Sequence, residues 1–171
     1  IGEYALVSYT IISYVNTIVV MSMAGIAQGT QPLISYYYGK NESEKYKKLL
    51  KYGMVAAAAG SVAAVLICYV GAESIVGLFL KESEASLSIY SVRVLRIFIL
   101  SFLLAGLNVV LGGYFTSVEK AGFATMISLT RSLIALVISL VFLTAVFGGE
   151  AIWWAPLIAE SCCLVLSAGL Y

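Results

Sequence analysis

The sequence predicts an all-α, polytopic membrane helix bundle with five transmembrane helices. Three observations carry that expectation. The 171 residues are 61% hydrophobic and only 11% charged, with a mean hydropathy of +0.99, where a soluble domain holds about 25% charged and about 45–50% apolar residues. Charges are absent from 4–39, 52–72, 97–118 and 132–149, and 151–171 holds a single acid, Glu160. A bilayer-spanning helix needs about 20 mostly apolar residues, so each run is long enough. Helix breakers and charges fall between the runs. In lipid, helices satisfy their own backbone polar groups. This pattern excludes a disordered segment, a nucleic-acid binder and an ordinary cytosolic enzyme.

The first helix is predicted over about 4–38, ending at Gly39-Lys40-Asn41. Asn41 followed by Glu44 resembles a capping box, which starts the second helix near 42, with Glu44 and Lys48 spaced i,i+4 on its exposed first turn. That helix runs to about 70 and breaks at Gly71. A short amphipathic piece, Ser74–Leu80, precedes the third helix at about 85–117. The fourth spans about 121–147 and ends at Gly148-Gly149. The fifth covers about 151–171. The first and third exceed what a bilayer needs and must tilt, kink or project.

Orientation follows from the excess of Lys and Arg in cytoplasmic loops. The 40–51 connection has five lysines against two glutamates, while 73–84 has Lys81 against Glu73, Glu82 and Glu84. The first is therefore expected in the cytoplasm and the second outside. Lys120 and Arg131 then fall inside and Glu150 outside. Arg93 and Arg96, near the outer end of the third helix, are the exception and are read as an interfacial anchor. Tyr36, Tyr37, Tyr38 and Tyr114 mark the inner interface, and Tyr4, Tyr69, Trp153 and Trp154 the outer one. No basic leader precedes the first apolar run, so no secretory signal is read. An external N-terminus without a targeting signal leads us to expect a fragment that lacks preceding helices.

Chemistry-bearing residues are few. The chain has no histidine and no aspartate, which removes the commonest general base and metal ligand. With no nucleophile–base pair or metal-ligand cluster, no enzyme, no metal site and no bound cofactor are expected. Cys68, Cys162 and Cys163 sit in apolar runs and read as small buried hydrophobes. Glu160 lies about ten residues into the last helix, where an isolated carboxylate costs about 2.5–3.5 kcal/mol. That cost favours protonation or a cationic partner, either in cation coupling or as a helix-to-helix hydrogen bond. Gln28 and Gln31 share a face that must turn to protein or a water-filled cavity. Gly25 and Gly29 form a GxxxG pair suited to close helix approach. Pro32 leaves the Gln28 carbonyl without its helical donor, so Gly29 and Pro32 are read as a hinge. Asn16 lies at mid-membrane depth, Arg131 is expected to snorkel to the interface, and Met21, Met23, Met54 and Met126 offer adaptable apolar surface.

The segment Gly25-Ile-Ala-Gln28-Gly29-Thr30-Gln31-Pro32-Leu33-Ile34-Ser35-Tyr36, followed by Tyr38-Gly39, strongly resembles one in the multidrug and toxic compound extrusion (MATE) transporters, with Tyr37 where Asn is more usual. Arg93-Val-Leu-Arg96-Ile97, Leu111-Gly112-Gly113-Tyr114-Phe115 with Glu119-Lys120-Ala121, Leu129-Thr130-Arg131-Ser132, and Trp154-Ala155-Pro156-Leu157-Ile158-Ala159-Glu160 resemble further family segments in the same order. The resemblance covers essentially the whole chain. It implies twelve helices in two pseudo-symmetric lobes, of which this chain is helices eight to twelve of the C-terminal lobe, without helix seven and the N-terminal lobe. It also implies an antiporter in the cell membrane that exports small amphipathic or cationic compounds in exchange for H⁺ or Na⁺ by alternating access. Some members carry an acid in helix ten before a glycine-rich segment. Matching Ala105-Gly106-Leu107-Asn108 to it puts Ala105 where the acid would be, so coupling is expected to rest on the missing lobe. Asn108 is then a cavity hydrogen bonder or a packing residue. The pathway candidates are Glu160, Gln28, Gln31, Asn16 and Asn108. The rival functions are a lipid-linked oligosaccharide or polysaccharide flippase of the same architecture, which would need more cations facing its cavity, and a non-catalytic membrane scaffold. Because the only deep ionisable group expected is an acid, cationic cargo is favoured.

Overall fold

A computed structural model describes residues 2–80 and 85–171. Its helices are α1 Glu3–Gly39, α2 Ser43–Val70, α3 Ala72–Gly77, α4 Ala85–Ser117, α5 Ala121–Phe147 and α6 Gly149–Leu170. All but the short α3 are long and apolar enough to cross a membrane. Lys81, Glu82 and Glu84, counted above in the acidic connection, lie outside the described residues.

α4 is the axle. Just over half of its most apolar stretch is buried (56%), against 22–28% for the other long helices. Helices α1, α2 and α4 pack on one another, and α5 and α6 pack on α4 and on each other. The inward face of α1 follows helical spacing through Ile12, Val15, Val19, Met23, Ala27 and Ile34. Two apolar cores result. One, toward the Glu150 end, joins Ile12, Val15, Leu95, Ile99, Phe102 and Trp153. The other, toward the lysine-rich end at Lys40–Lys51, joins Ile34, Leu50, Val110, Phe115, Ile127 and Cys163. Many hydroxyls fold back onto their own helices, as Ser13 donates to the Tyr9 carbonyl and Ser22 to that of Ile18, each at 2.8 Å, while Ser8 of α1 meets Ser91 of α4 at 2.8 Å.

Lipid tails are as apolar as leucine, so helices in a membrane associate through close packing and polar contacts. Here α4 supplies the close approach. A Cβ on Gly106 would collide with the Ser61 hydroxyl of α2 and lie 3.1 Å from Met23 Sδ, and one on Gly113 would lie 2.7 Å from Gln31 Nε2. The Gly25–Gly29 pair does not do this job: nothing lies within 4 Å of a Cβ at either position. These two glycines fall on the face of α1 opposite Met23 and Ala27, so the expected close approach is corrected to Gly106 and Gly113.

Helix ends bring other corrections. Asn41 has φ 59° and makes the left-handed turn out of α1. Glu42 is the residue before α2, with no side-chain cap, so the capping box is not formed. Glu42 pairs with Lys45 instead. Trp153 is buried and donates to the Tyr90 hydroxyl at 3.1 Å, and Tyr114 is also buried; both belong to the cores rather than to interfacial belts. Cys162 is exposed, unlike buried Cys68 and Cys163. Arg96 pairs with Glu73 at 3.2 Å and stacks over Tyr69.

Three irregular turns interrupt the spans. Ile99–Ser101 of α4 and Gly149–Trp154 of α6 are 3₁₀, and Thr130–Ile134 of α5 is a π turn. α5 is separated from α6 by Gly148 alone, at φ 81°. Of these, the π turn carries Arg131 into a polar layer between the two cores.

Candidate functional site

Glu160, Arg131 and Asn108 meet in that layer, each from a different helix. On α6, Pro156 sits in the first turn after the 3₁₀ entrance, where its missing N–H costs no hydrogen bond, and one turn later Glu160 points inward. Arg131 belongs to the π turn of α5, a rare geometry that inserts an extra residue into a helical turn and is frequent at functional sites. Asn108 is on the buried face of α4.

Arg131 Nε donates to Glu160 Oε1 at 2.7 Å. Asn108 Nδ2 donates to Glu160 Oε2 at 2.7 Å and to the Glu160 main-chain carbonyl at 2.9 Å. Both carboxylate oxygens are thus held by donors, with the Glu160 side chain 12% exposed and that of Arg131 24%. The remaining acceptor, Asn108 Oδ1, is buried without a hydrogen-bond partner. Arg131 therefore does not snorkel to an interface. A carboxylate at the same depth offers it charge-assisted hydrogen bonds, which are stronger than neutral ones. Nor is Glu160 the only deep ionisable group, and the preference for cationic cargo that rested on its isolation loses that support. Removing one partner of such a buried pair costs about 3–5 kcal/mol.

Two clefts flank the network. Toward the Glu150 end, a cleft of about 500 Å³ is lined by Ser13, Asn16, Ser101, Ala105, Arg131 and Glu160, among others. Toward the lysine-rich end, one of about 550 Å³ is lined by Gln31, Asn108, Thr116, Thr125, Ser128 and Arg131, among others. Of the residues expected at the site, the structure joins Glu160 directly to Asn108, places Asn16 in the Glu160 cleft, and places Gln31, packed on Gly113, in the Asn108 cleft. It does not bring in Gln28, which is exposed on α1. Gly29 and Pro32 are also exposed, within an α1 that is helical from Glu3 to Gly39. Ala105 of α4 also lines the first cleft.

Sequence reasoning missed the pairing of Arg131 with Glu160. A signal was present: opposite charges on consecutive spans joined by one residue reach similar depth. Arg131 is about 26 Å of α-helix from Gly148. Glu160, with a 3₁₀ start rising about 2.0 Å per residue, is about 21 Å away.

Comparison with known proteins agrees with this architecture. The MatE family model matches residues 1–141. The multidrug export protein MepA of Staphylococcus haemolyticus (strain JCSC1435) is 25% identical over 166 residues, covering 97% of this chain and 36% of its own length. MepA of Staphylococcus aureus (strain bovine RF122 / ET3-1) is 24% identical over 162 residues, covering 95% and 35%. A solved structure described as the outward-facing conformation of a multidrug resistance MATE family transporter superposes with a TM-score of 0.89 at 17% identity, over 97% of this chain and 37% of that one. A MATE crystal structure in complex with MaL6 gives 0.87 at the same identity. The chain spans a little over a third of the length of these relatives.

Proposed function

The chain belongs to the MatE family, and from that premise we propose that it supplies five helices of a membrane antiporter. In this reading the whole transporter exports small amphipathic or cationic compounds in exchange for H⁺ or Na⁺ by alternating access. The facing lobe comes from the rest of the protein, and the lysine-rich 40–51 connection lies in the cytoplasm of a cell-membrane protein.

The observation that carries this reading is the Glu160–Arg131–Asn108 network between two clefts. A buried ion pair is a poor stabiliser, since apolar side chains of similar volume hold helices equally well or better. Its presence at mid-length of an apolar bundle supports a role in which the charges part. A coupling cation arriving at Glu160 competes with Arg131 for the carboxylate. Asn16, Asn108 and Gln31 provide hydrogen bonds along the clefts, Gln28 faces the other lobe, and Gly29 with Pro32 give α1 a point of flexure. A flippase that holds pyrophosphate requires an uncompensated cation facing its cavity, and the charge of Arg131 is compensated by Glu160.

The test is ethidium resistance in a pump-deficient host carrying the full-length protein. Glu160→Gln keeps shape and hydrogen bonding but removes the titratable group, and is expected to abolish resistance while the protein still reaches the membrane. Pro32→Ala is expected to impair efflux with little loss of expression. Residues 1–171 alone in proteoliposomes should give no ethidium efflux, because inverted or repeated halves enclose the site between them. Wild-type resistance and pH dependence in Glu160→Gln would return Glu160 to a packing role.

A further inference from the structure

We propose that the outward face of α2, at its lysine-rich end, is a binding surface for anionic phospholipid. The headgroup phosphate sits on Lys47, Lys48 and Lys51, and the acyl chains run along Val55, Ala59 and Val62. The proposal rests on the membrane reading alone and concerns neither the cargo nor the coupling ion.

The helix sets the depth of these lysines. From Tyr52 to Val70, α2 holds no charge, and that stretch rises about 28 Å, close to the roughly 30 Å of hydrocarbon in a bilayer. The helix continues unbroken from Lys51 back to Ser43. The lysines are therefore carried on rigid backbone through the headgroup layer and not on a loop in open water. Tyr52, exposed at 58%, marks the boundary, and Lys48 Nζ lies 5.9 Å from the centre of its ring.

Helical spacing joins the charge to an apolar track. Lys48, Lys51, Val55, Ala59 and Val62 recur at intervals of three and four residues, which puts them on one side of α2, and all are exposed. That side is opposite the one that buries Leu50, Gly53, Ala57 and Ser61 against α1 and α4. Between Tyr52 and Tyr69, the exposed side of α2 bears no polar side chain. The exposed sides of α1 and α5 differ: they carry Thr17 and Gln28, and Thr125 and Ser128, groups that call for protein or water. It is therefore α2 that turns to acyl chains. One leaflet is about 15 Å of hydrocarbon deep, the rise of a helix from Tyr52 to Val62.

Charge selects the headgroup. Lys45 pairs with Glu42. Among the described residues, Lys47, Lys48 and Lys51 form no ion pair, and Glu44 is the one acid beside them on the exposed turns. Ammonium groups at this depth face lipid phosphates, and each lysine near an anionic surface adds to the attraction. A zwitterionic lipid brings its own cation with its phosphate, which the lysines repel.

Native mass spectrometry of the full-length protein in detergent tests this, with phosphatidylglycerol and phosphatidylcholine of identical acyl chains as the probes. The parent is expected to retain phosphatidylglycerol at least about tenfold more tightly. Lys47→Gln with Lys48→Gln and Lys51→Gln is expected to cut that preference at least about fivefold, while Lys47→Arg with Lys48→Arg and Lys51→Arg keeps it. Glu44→Gln is expected to raise it, and Arg93→Gln, at the other end of the bundle, to leave it unchanged. Glycerol phosphate, which has the anion without the chains, is expected not to displace the lipid. Equal retention of the two lipids, an unchanged preference in the triple Gln variant, or its loss with arginine or in Arg93→Gln overturns the proposal. So does displacement by glycerol phosphate, which would assign the lysines to a soluble anion, and so does retention of neither lipid, which would show that protein covers this face. Ethidium efflux enters none of these readouts, so the lipid surface and the antiport reading fail separately.

Discussion

Helices α1, α2 and α4 meet by close packing with neutral hydrogen bonds such as Ser8–Ser91, whereas α5 and α6 meet α4 across clefts bridged by an ion pair. The first contact depends on small residues. Gly106 seats against Ser61 and Met23, Gly113 against Gln31, and Gly53 against Thr30 and Val110, where an added Cβ would be 3.3 Å from either side chain. The second depends on Glu160 reaching Arg131 and Asn108. The difference teaches that one bundle in lipid uses both available devices for helix association, close approach and polar bridging. Only the polar bridge leaves room for water and for rearrangement. Close packing allows a single arrangement, while a bridge across a cleft has donors and acceptors that can exchange partners.

The largest effect should come from breaking the bridge on one side. Glu160→Leu strands the Arg131 guanidinium and is expected to cost about 3–5 kcal/mol, seen as a lowered thermal unfolding midpoint in detergent. An unchanged midpoint would show that Arg131 finds water or another partner without help. On the close-packed side, Gly106→Ala forces its methyl group toward Ser61, Met23 and the Ala57 carbonyl, and overpacking of this kind costs about 1–3 kcal/mol in the same measurement. A neutral result there would place the close contact elsewhere. Removing both charges sharpens the comparison. Arg131→Leu with Glu160→Leu is expected to stay within about 1 kcal/mol of the parent or to exceed it, so that loss of transport in that variant separates function from stability. The smallest effect is predicted at Gly25→Ala and Gly29→Ala. Nothing lies within 4 Å of either position, and replacing a mid-helix Gly by Ala gains up to about 1 kcal/mol. Destabilisation by either substitution would show that this face of α1 is covered by a partner.

Much of the fold was legible because a bilayer punishes charge, and charge is what the sequence withholds over its long runs. The spans, the break at Gly71 and the turn at Gly148 follow from that rule and from glycine. Depth was legible too, which singled out Glu160. Facing was not. α1 and α4 are apolar nearly all round, so spacing alone does not distinguish the face carrying Gly25 and Gly29 from the one carrying Met23 and Ala27. Asn41 has the composition of a cap, but its φ of 59° spends it on the turn instead. Arg131 escaped because its partner is on another helix. The irregular turns at Thr130–Ile134 and Gly149–Trp154, which adjust rotation and depth, have no signature in hydropathy.

The single residue between α5 and α6 bears on how the protein is made. A lone span carrying Arg131 enters a bilayer against about 2.5–3.5 kcal/mol for its cation, and one carrying Glu160 bears a comparable charge for its acid. Joined through Gly148 alone, the two spans have no length of loop to hold them apart and form one tight hairpin. Arg131 and Glu160 face each other across that hairpin, so placing the two spans in a bilayer together sets each charge's cost against the other's.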